Sequence, residues 1–292
     1  MNDQAYPKVH IIVLNWNGKD VIEQCLSSLK RVDYPNYEIL VVDNNSSDGT
    51  IEMLQTFYPE IILIRNLKND GYTKPMNQAL EKAQGDYLLQ LNPDTILSHE
   101  SVLLLFQYME VHPKVGICEP RIIGDNGLFQ YSSRRGIATP WATITYFLGL
   151  STIFSNNPKF TQYRLEHLDE NIISEVDGVS GTCMFFRRSV LKEVGYLDER
   201  FFAYQEDSDY CLRAKTKGWK IIYNPITTIY HSRGHGGSGT QPMKSIFEWH
   251  RSYYHFYKKH LAKDYFFLFN WLYILMMVGK LIFTEIKHIL RT

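Results

Sequence analysis

Short apolar runs separated by amphipathic segments make up the first part of the chain. Runs at residues 9–14, 38–42, 61–64 and 87–91 each predict a strand, and the nearly continuous run at 87–91 is typical of burial on both faces. Apolar residues recur at helical spacing between these runs, as in residues 21–29. Strands that alternate with helices form βαβ units with right-handed crossovers. The pattern therefore predicts an α/β fold with a mainly parallel central sheet.

This alternation continues to residue 118 and then breaks off, because residues 124–176 show no regular period. Aromatic residues and the pair Arg134-Arg135 accumulate there. Long irregular connections often carry binding residues, so we interpret this segment as one that binds and selects an acceptor substrate. Further regular elements are predicted downstream. They are a strand that ends at residue 186, a helix at 189–194, a second helix that begins within 201–209 and ends near residue 217, and short strands at 220–223 and 227–230.

Residues 243–292 form a tail of different character. Residues 265–279 are apolar except for Asn270, and lysines flank them on both sides. This run of fifteen residues is shorter than the ~20 that a membrane span needs, and basic and aromatic flanks favour a helix lying in the membrane interface. The alternatives are a helix that covers the main domain and a contact in a homodimer. We expect one domain at residues 1–242, with halves at 9–119 and 177–239, followed by this helical tail.

Composition and charge exclude several classes of protein. With 45% hydrophobic and 14% aromatic residues, the chain is neither disordered nor of low complexity. Thirty-one basic residues balance 31 acidic ones, which argues against a nucleic-acid partner. The four cysteines are far apart and show no metal-binding spacing, as expected in a reducing cytosol. Residues 1–8 are polar, so we expect no signal peptide there.

Three polar residues follow predicted strands. Pro93 ends strand pairing, which places Asp94 at the strand end where open α/β sheets bind ligands, and a carboxylate there suits a divalent metal. The alternative role for Asp94 is to make a turn or cap the next helix. Asp43 is equally consistent with an Asx turn, and His231 alone with a hydrogen-bonded structural histidine.

Two other features carry similar alternatives. Glu206 and Asp207 begin a predicted helix, where the helix dipole favours carboxylates whatever their function. Gly181 and the glycines in residues 234–239 serve turns unless a ligand requires close backbone approach. Along the chain, Asp43, Asp94, the pair Glu206-Asp207 and His231 each lie at the end of a predicted element. This order favours a single crevice lined by all of them.

Four motifs in this order resemble the inverting glycosyltransferases of family two, in particular a bacterial branch similar to rhamnosyltransferases. The motifs are VVDNNSSDGT, LNPDT, the long DGVSGTCMFFRRSVLKEVGYLDERFFAYQEDSDYCLRAKTKGW and YHSRGHGGS, and the resemblance covers residues 9–239. It implies a GT-A fold, a nucleotide-diphospho-sugar donor and Mn²⁺ or Mg²⁺.

The resemblance also implies residue roles. Asp94 corresponds to the last carboxylate of the family's DxD metal motif, with Asn92 in place of the first, and His231 to a histidine that completes the metal site. Asp207 corresponds to the catalytic base, beside Glu206. The residues assigned to donor binding are Asn15, Asp43, Asn45, Asn69, Gly71, Asn77, Asn92 and Gly181.

We expect a metal-dependent transferase that moves a sugar by single displacement to a cell-surface glycan or lipid-linked glycan precursor. The preferred donor is dTDP-L-rhamnose, and a cytoplasmic location at the inner face of the membrane follows from the tail. Alternatives are a UDP- or GDP-sugar transferase on the same fold, or a non-catalytic glycan- or nucleotide-binding protein. A nucleotidyltransferase is disfavoured, because NWNGK is a poor match to a glycine-rich phosphate loop.

Overall fold

The computed structural model describes residues 6–232, 239 and 241–291. Its strands are β1 (Val9–Asn15), β2 (Tyr37–Asp43), β3 (Ile62–Arg65), β4 (Tyr87–Leu91), β5 (Thr95–Ile96), β6 (Val115–Ile123), β7 (Arg134–Arg135), β8 (Ser174–Glu175), β9 (Gly178–Val179), β10 (Cys183–Arg187) and β11 (Lys220–His231). Its helices are α1 (Lys19–Leu29), α2 (Thr50–Phe57), α3 (Thr73–Lys82), α4 (Ser101–Val111), α5 (Pro140–Phe147), α6 (Leu150–Ile153), α7 (Arg188–Val194), α8 (Glu206–Thr216), α9 (Pro242–Phe256) and α10 (Phe267–Ile289). The glycine-rich loop expected after His231 lies largely outside the described residues.

The central sheet has the strand order β3-β2-β1-β4-β10-β6-β11-β5. The pairs β3-β2, β2-β1 and β1-β4 are parallel. β10 lies antiparallel between β4 and β6, so β6 and its parallel neighbour β11 run in the same direction as β4. The predicted α/β fold with a mainly parallel sheet is confirmed.

Both faces of the sheet are covered by apolar clusters. Val9, Ile11 and Val13 of β1 enter one cluster, and Ile12 and Leu14 enter the other. β4 divides between the same two clusters, which confirms the predicted burial of that strand on both faces. The four cysteines, Cys25, Cys118, Cys183 and Cys211, are buried and free.

β11 is a single strand, where the sequence predicted two short ones. Its pairing with β6 skips from Asn224 to Thr228, around Pro225. Proline has no backbone N–H to donate, so it interrupts the ladder locally. The prediction of two strands is wrong, because an irregularity of this kind bends a strand without ending it. The uninterrupted strand carries His231 to the edge of the sheet where β4 also ends.

The C-terminal helices pack on the irregular middle of the chain. A third apolar cluster joins α5, α9 and α10 with the loop before α8. Its buried members are Ala138, Ala142, Tyr163, Phe201, Tyr253, Phe256, Tyr257, Tyr273 and Met277. The hydroxyls of Thr143 and Tyr273 are 2.7 Å apart and link α5 to α10. The proposed domain boundary at residue 242 stays a prediction.

A buried carboxylate also links this tail to α8. Oδ1 of Asp209 lies 2.5 Å from Nζ of Lys259 and 2.6 Å from Nε2 of His260, and its Oδ2 lies 2.8 Å from Nε of Arg213. Burial alone raises the pKa of Asp209, but the hydrogen bonds from His260 and Lys259 hold it below its usual range. The segment after α9 is thereby held on the helix that begins with Glu206 and Asp207.

The helix α10 is longer than the apolar run that predicted it. It has 23 residues, because the chain remains helical beyond Lys280 as far as Ile289. The expectation of a helix too short to span a membrane is therefore wrong. By length and composition alone, α10 is the one helix in the described residues that could cross a membrane. Only 11% of its most apolar stretch of 18 residues is buried, whereas the core helix of a soluble protein is mostly buried.

Candidate active site

A cavity of about 570 Å³ opens at the edge of the sheet where β1, β4 and β11 end. Ligands bind at this edge in open α/β sheets, because strand ends and the loops after them leave a crevice there. Eight residues predicted from the sequence line this cavity: Asn69, Gly71, Asn92, Asp94, Gly181, Glu206, Asp207 and His231. The sheet therefore brings together residues that lie far apart in the sequence.

Asp94 and His231 meet because β5 pairs with the end of β11. In this antiparallel pairing Thr95 lies opposite His231, and Ser232 N–H donates to the carbonyl oxygen of Asp94 at 2.9 Å. Oδ1 of Asp94 is then 3.2 Å from Nε2 of His231. A two-residue strand that no periodicity could reveal thus fixes the distance between the two predicted metal ligands.

The hydrogen bonds of His231 determine which of its two ring nitrogens carries the hydrogen and which is an acceptor. Gln130 Nε2 donates to the carbonyl oxygen of His231 at 2.8 Å, which orients the Gln130 amide. Its Oε1 then lies 2.9 Å from Nδ1 of His231, so in the neutral ring Nδ1 carries the hydrogen and donates to Oε1. The lone pair of Nε2 is left facing the Asp94 carboxylate, and two acceptors at that distance repel unless a cation lies between them.

This donor set fits Mn²⁺ or Mg²⁺. A carboxylate oxygen suits both ions, and an imidazole whose other nitrogen is hydrogen-bonded is a usual metal ligand. Within residues 6–232, 239 and 241–291, no group of three or more His, Cys, Asp or Glu side chains is arranged to hold a metal. An ion at Asp94 and His231 would therefore complete its coordination with substrate phosphates and water.

Asp207 is tied to two separate elements. Arg135 Nη1 donates to Oδ1 of Asp207 at 2.9 Å, and the N–H of Gly181 donates to Oδ2 at 3.0 Å. Burial lowers the pKa of Arg135, but the adjacent Asp207 raises it above its usual range, so the guanidinium stays charged. The ion pair orients the carboxylate, and Oδ2 keeps capacity for a second hydrogen bond or a proton.

The neighbouring Glu206 has a different environment. It is 5% exposed, and its Oε2 has no hydrogen-bond partner among the described residues. Burial, followed by the charge of Asp207, raises the pKa of Glu206 to about 8. At neutral pH Glu206 is therefore mainly a neutral carboxylic acid.

Backbone crowding explains two of the predicted glycines. Gly71 has a φ of +87°, and a Cβ there would lie 2.5 Å from the carbonyl oxygen of Phe202. At Gly181 a Cβ would lie 2.6 Å from Nε2 of the buried Gln90. Gly71 requires glycine, because its φ is positive and the crowding atom belongs to the backbone. At Gly181 a side chain would have to displace the end of the Gln90 side chain.

A sequence model of the family described as glycosyl transferase family 2 matches residues 10–195, which is more than half of the chain. The chain belongs to glycosyl transferase family 2. The curated relatives of this glycosyltransferase include the N-acetylglucosaminyl-diphospho-decaprenol L-rhamnosyltransferase of Mycobacterium tuberculosis, 28% identical over 84% of this chain and 82% of that protein. Rhamnosyltransferase WbbL of Escherichia coli K12 is 27% identical over 83% of this chain and 89% of its own length.

Solved structures show the same fold. A mannosyltransferase of Pyrobaculum calidifontis, in complex with GDP-Man and Mn²⁺, gives a TM-score of 0.57 at 17% identity over 85% of this chain and 64% of that chain. TarS residues 1–349 of S. aureus, in complex with UDP, gives a TM-score of 0.54 at 19% identity over 84% and 65%. The chain spans less than two thirds of either solved chain. The GT-A fold expected for the glycosyltransferase is confirmed.

Four of the residues assigned to donor binding do not line the cavity of the glycosyltransferase. Asn15 donates to Oδ2 of Asp43 at 3.2 Å, and Oδ1 of Asp43 accepts the N–H of Ser46 at 2.8 Å. Both side chains are fully buried and hold the loop after β2, in which Asn45 is exposed with a φ of 68°. The structure thus gives Asp43 the turn-holding role that the sequence left open. Its contact with a donor stays a prediction.

Asn77 is buried behind the cavity. Its Nδ2 donates to the carbonyl oxygen of Leu197 at 2.9 Å, and its Oδ1 accepts the N–H of Leu197 at 3.0 Å. A second amide, Asn44, was not identified from the sequence but lines the cavity. Its Nδ2 donates to the carbonyl oxygen of Gly71 at 2.7 Å and to Oδ1 of Asn69 at 3.0 Å. Asn44 lies directly after the strand-ending Asp43 and within the motif VVDNNSSDGT, and these two signals could have identified it.

Sequence reasoning also missed Glu119 and the role of Arg135. Glu119 is fully buried in β6, where Ser180 donates its N–H to Oε2 at 2.8 Å and its hydroxyl to Oε1 at 2.5 Å. Burial raises the pKa of Glu119 well above its usual range. This buried acid positions the turn at Ser180 and Gly181, whose N–H then reaches Asp207. No motif or strand end marked Glu119. Arg135 stood out only as part of the pair Arg134-Arg135 in the irregular segment, and nothing in the local sequence linked it to Asp207.

Proposed function

We propose that this glycosyltransferase inverts the anomeric centre of its donor, moving L-rhamnose from dTDP-L-rhamnose to a lipid-linked glycan precursor at the inner face of the cell membrane. One observation carries the proposal: a single cavity holds an oriented carboxylate, Asp207, and the Asp94–His231 pair suited to a cation. The names of the relatives from M. tuberculosis and E. coli support rhamnose as the sugar.

In this mechanism Asp207 is the base. Its Oδ2 takes the proton of the acceptor hydroxyl as the oxygen of that hydroxyl forms a bond to the anomeric carbon. The bond from that carbon to the donor's diphosphate breaks in the same displacement, so the nucleoside diphosphate leaves and the configuration inverts. Arg135 orients Asp207, and neutral Glu206 supplies a hydrogen-bond donor beside it.

Asp94 and His231 are the residues that would hold Mn²⁺ or Mg²⁺. A bound divalent ion would act as a Lewis acid that stabilises negative charge on the departing diphosphate. Gln130 fixes the ring of His231 so that Nε2 faces Asp94. Gly71 and Gly181 let the backbone pass close to the bound donor.

A donor panel tests this function. Purified protein is incubated with dTDP-L-rhamnose, a UDP-sugar or a GDP-sugar, with Mn²⁺ and a short-chain polyprenyl-diphospho-N-acetylglucosamine. We expect dTDP-L-rhamnose to be used at least ~10-fold more efficiently, since a missing or unpaired sugar contact costs about 1–3 kcal/mol. Nucleotide release, glycosylated lipid and the anomeric configuration of the product are measured. Preference for a UDP- or GDP-sugar would assign the alternative donor, and binding without turnover would indicate a non-catalytic protein.

We further propose that α10 lies along the membrane surface. Tyr273 and Met277 pack on the domain, so lipid cannot surround the helix on all sides. Large apolar side chains are exposed at helical spacing on the other side, namely Phe267, Trp271, Leu275, Val278 and Ile282. A helix with one packed face and one exposed apolar face is suited to the lipid interface.

Replacing Trp271 and Leu275 together by Glu is expected to lower vesicle binding by about 10-fold or more, because burying each apolar side chain contributes ~1.5–3 kcal/mol. Co-sedimentation with vesicles containing anionic lipids measures this. Leu67→Glu is the matched control, since Leu67 is 96% exposed and lies between β3 and α3. Unchanged binding of the double variant would contradict the interfacial role of α10.

A further inference from the structure

Part of the cavity wall comes from the tail and from the irregular middle of the chain. α5 and the segment after it contribute Tyr146 and Arg164, α9 contributes Lys244, and the loop before α8 contributes Phe202. None of these residues belongs to the motifs that carry the family resemblance, apart from Phe202. This part of the wall, which we call the cationic wing, shares the cavity with Asp207.

The two cations of the wing rest on aromatic rings. Arg164 Cζ lies 4.5 Å from the ring centre of Tyr146, and Lys244 Nζ lies 4.5 Å from that of Phe202. Neither forms an ion pair with any of the residues that the structure describes. An aromatic face holds a cation in place but does not neutralise its charge.

Two acids interact electrostatically with these cations, Glu248 with Lys244 and Glu166 with Arg164. Glu248 also lines the cavity, but its Oε2 lies 2.7 Å from Nη2 of Arg251, so its charge is balanced by a cation outside the wing. Burial raises the pKa of Glu166, which favours its neutral form. The wing therefore presents positive charge to the cavity. The donor's diphosphate is expected at Asp94 and His231 on the strand ends, so the wing suits a second anion.

We propose that Arg164 and Lys244 bind the diphosphate of a lipid-linked acceptor, an inference that rests on the proposed function. Guanidinium and ammonium groups make charge-assisted hydrogen bonds to phosphate oxygens. α9, which carries Lys244, packs against α10. α10 exposes the apolar side chains of Phe267, Trp271, Leu275, Val278 and Ile282. The lipid of such an acceptor therefore has an apolar surface to follow away from the wing.

Equilibrium binding tests the proposal without requiring turnover. The ligands are a short-chain polyprenyl-diphospho-N-acetylglucosamine, an alkyl N-acetylglucosaminide without phosphate, and inorganic pyrophosphate. Arg164→Gln and Lys244→Met remove charge but keep most of the side chain. Each is expected to weaken binding of the diphosphate ligand by roughly 10-fold or more, and binding of the phosphate-free ligand by less than about twofold. Lys192→Met, an exposed lysine of α7, is the matched control and should bind like the parent.

Four results would overturn the site. The variants could bind the diphosphate ligand as the parent does, or lose affinity for both acceptor analogues equally, which would indicate a contact with the sugar. Pyrophosphate could bind as tightly as the lipid-linked ligand, which would indicate a site for free anions. If the variants lose only vesicle binding, the cations contact lipid headgroups and the proposal is again wrong. A transfer assay on the same samples reports separately on the proposed function, because binding survives if only catalysis is absent.

Discussion

Asp207→Asn is expected to lower sugar transfer by ~10²-fold or more while leaving donor affinity nearly unchanged. The amide keeps the size of the side chain and an oxygen that accepts the N–H of Gly181, but it cannot take the acceptor proton. Arg135 loses its carboxylate partner, so the folded fraction of the variant is checked by thermal unfolding. Turnover and donor dissociation constants are measured with one acceptor.

Glu206→Gln is the matched control for this experiment. Glu206 is mainly neutral at pH 7, because burial raises its pKa to about 8, and glutamine mimics the neutral acid. Transfer at pH 7 should therefore fall much less than in Asp207→Asn. Nearly parental turnover in Asp207→Asn, combined with collapse in Glu206→Gln, would reverse the assignment of the base.

The pH dependence of stability adds an independent check on Glu206. Its folded pKa of about 8 lies above the ordinary glutamate value, so between those two pH values the folded state holds a proton that the unfolded state has released. The free energy of unfolding of the parent therefore falls as pH rises through this window. Glu206→Gln does not titrate, so it should be more stable than the parent above pH 8 and gain little at pH 4. An equal difference at both pH values would contradict the burial of Glu206 as a neutral acid.

Asp94→Asn should lower transfer by about 10²-fold or more, and chelation of divalent ions should do the same to the parent. The amide removes the negative charge that Nε2 of His231 faces at 3.2 Å, and with it the charge that attracts a metal. Mn²⁺ affinity is measured by electron paramagnetic resonance, so the result does not depend on activity alone.

Two further variants sharpen this test. Gln130→Ala removes the group that orients His231 and should weaken Mn²⁺ binding by about 10-fold, as is usual for partners of metal ligands. Glu81→Gln, on the exposed side of α3, is the control for removing a carboxylate and should leave Mn²⁺ affinity unchanged. Full transfer after exhaustive dialysis against EDTA would exclude a role for the metal.

Much of the fold could be predicted because strands buried on both faces and amphipathic helices leave local patterns in the chain. The periods of β1, β2, β4 and the helices between them were sufficient for the α/β class. The position of Asp94 was predictable for a similar reason, because Pro93 must end the pairing of its strand. Candidate site residues at the ends of elements could therefore be named before their partners were known.

Other features depend on contacts between distant segments, which no local period records. β10 pairs antiparallel between β4 and β6, and Thr95 pairs opposite His231. Arg135, 72 residues before Asp207, supplies the charge that orients it. Long-range strand register and side-chain partners are chosen by the packing of the whole core.

The adjacent residues Glu206 and Asp207 illustrate both what the local sequence determines and what only the folded chain decides. The sequence determined that Glu206 and Asp207 begin a helix, where carboxylates are favoured. The tertiary structure alone decided that Asp207 meets Arg135 while Glu206 Oε2 is left without a partner among the described residues. The reason is that a pKa depends on burial and on charges brought close by folding, and neither is a property of the local sequence.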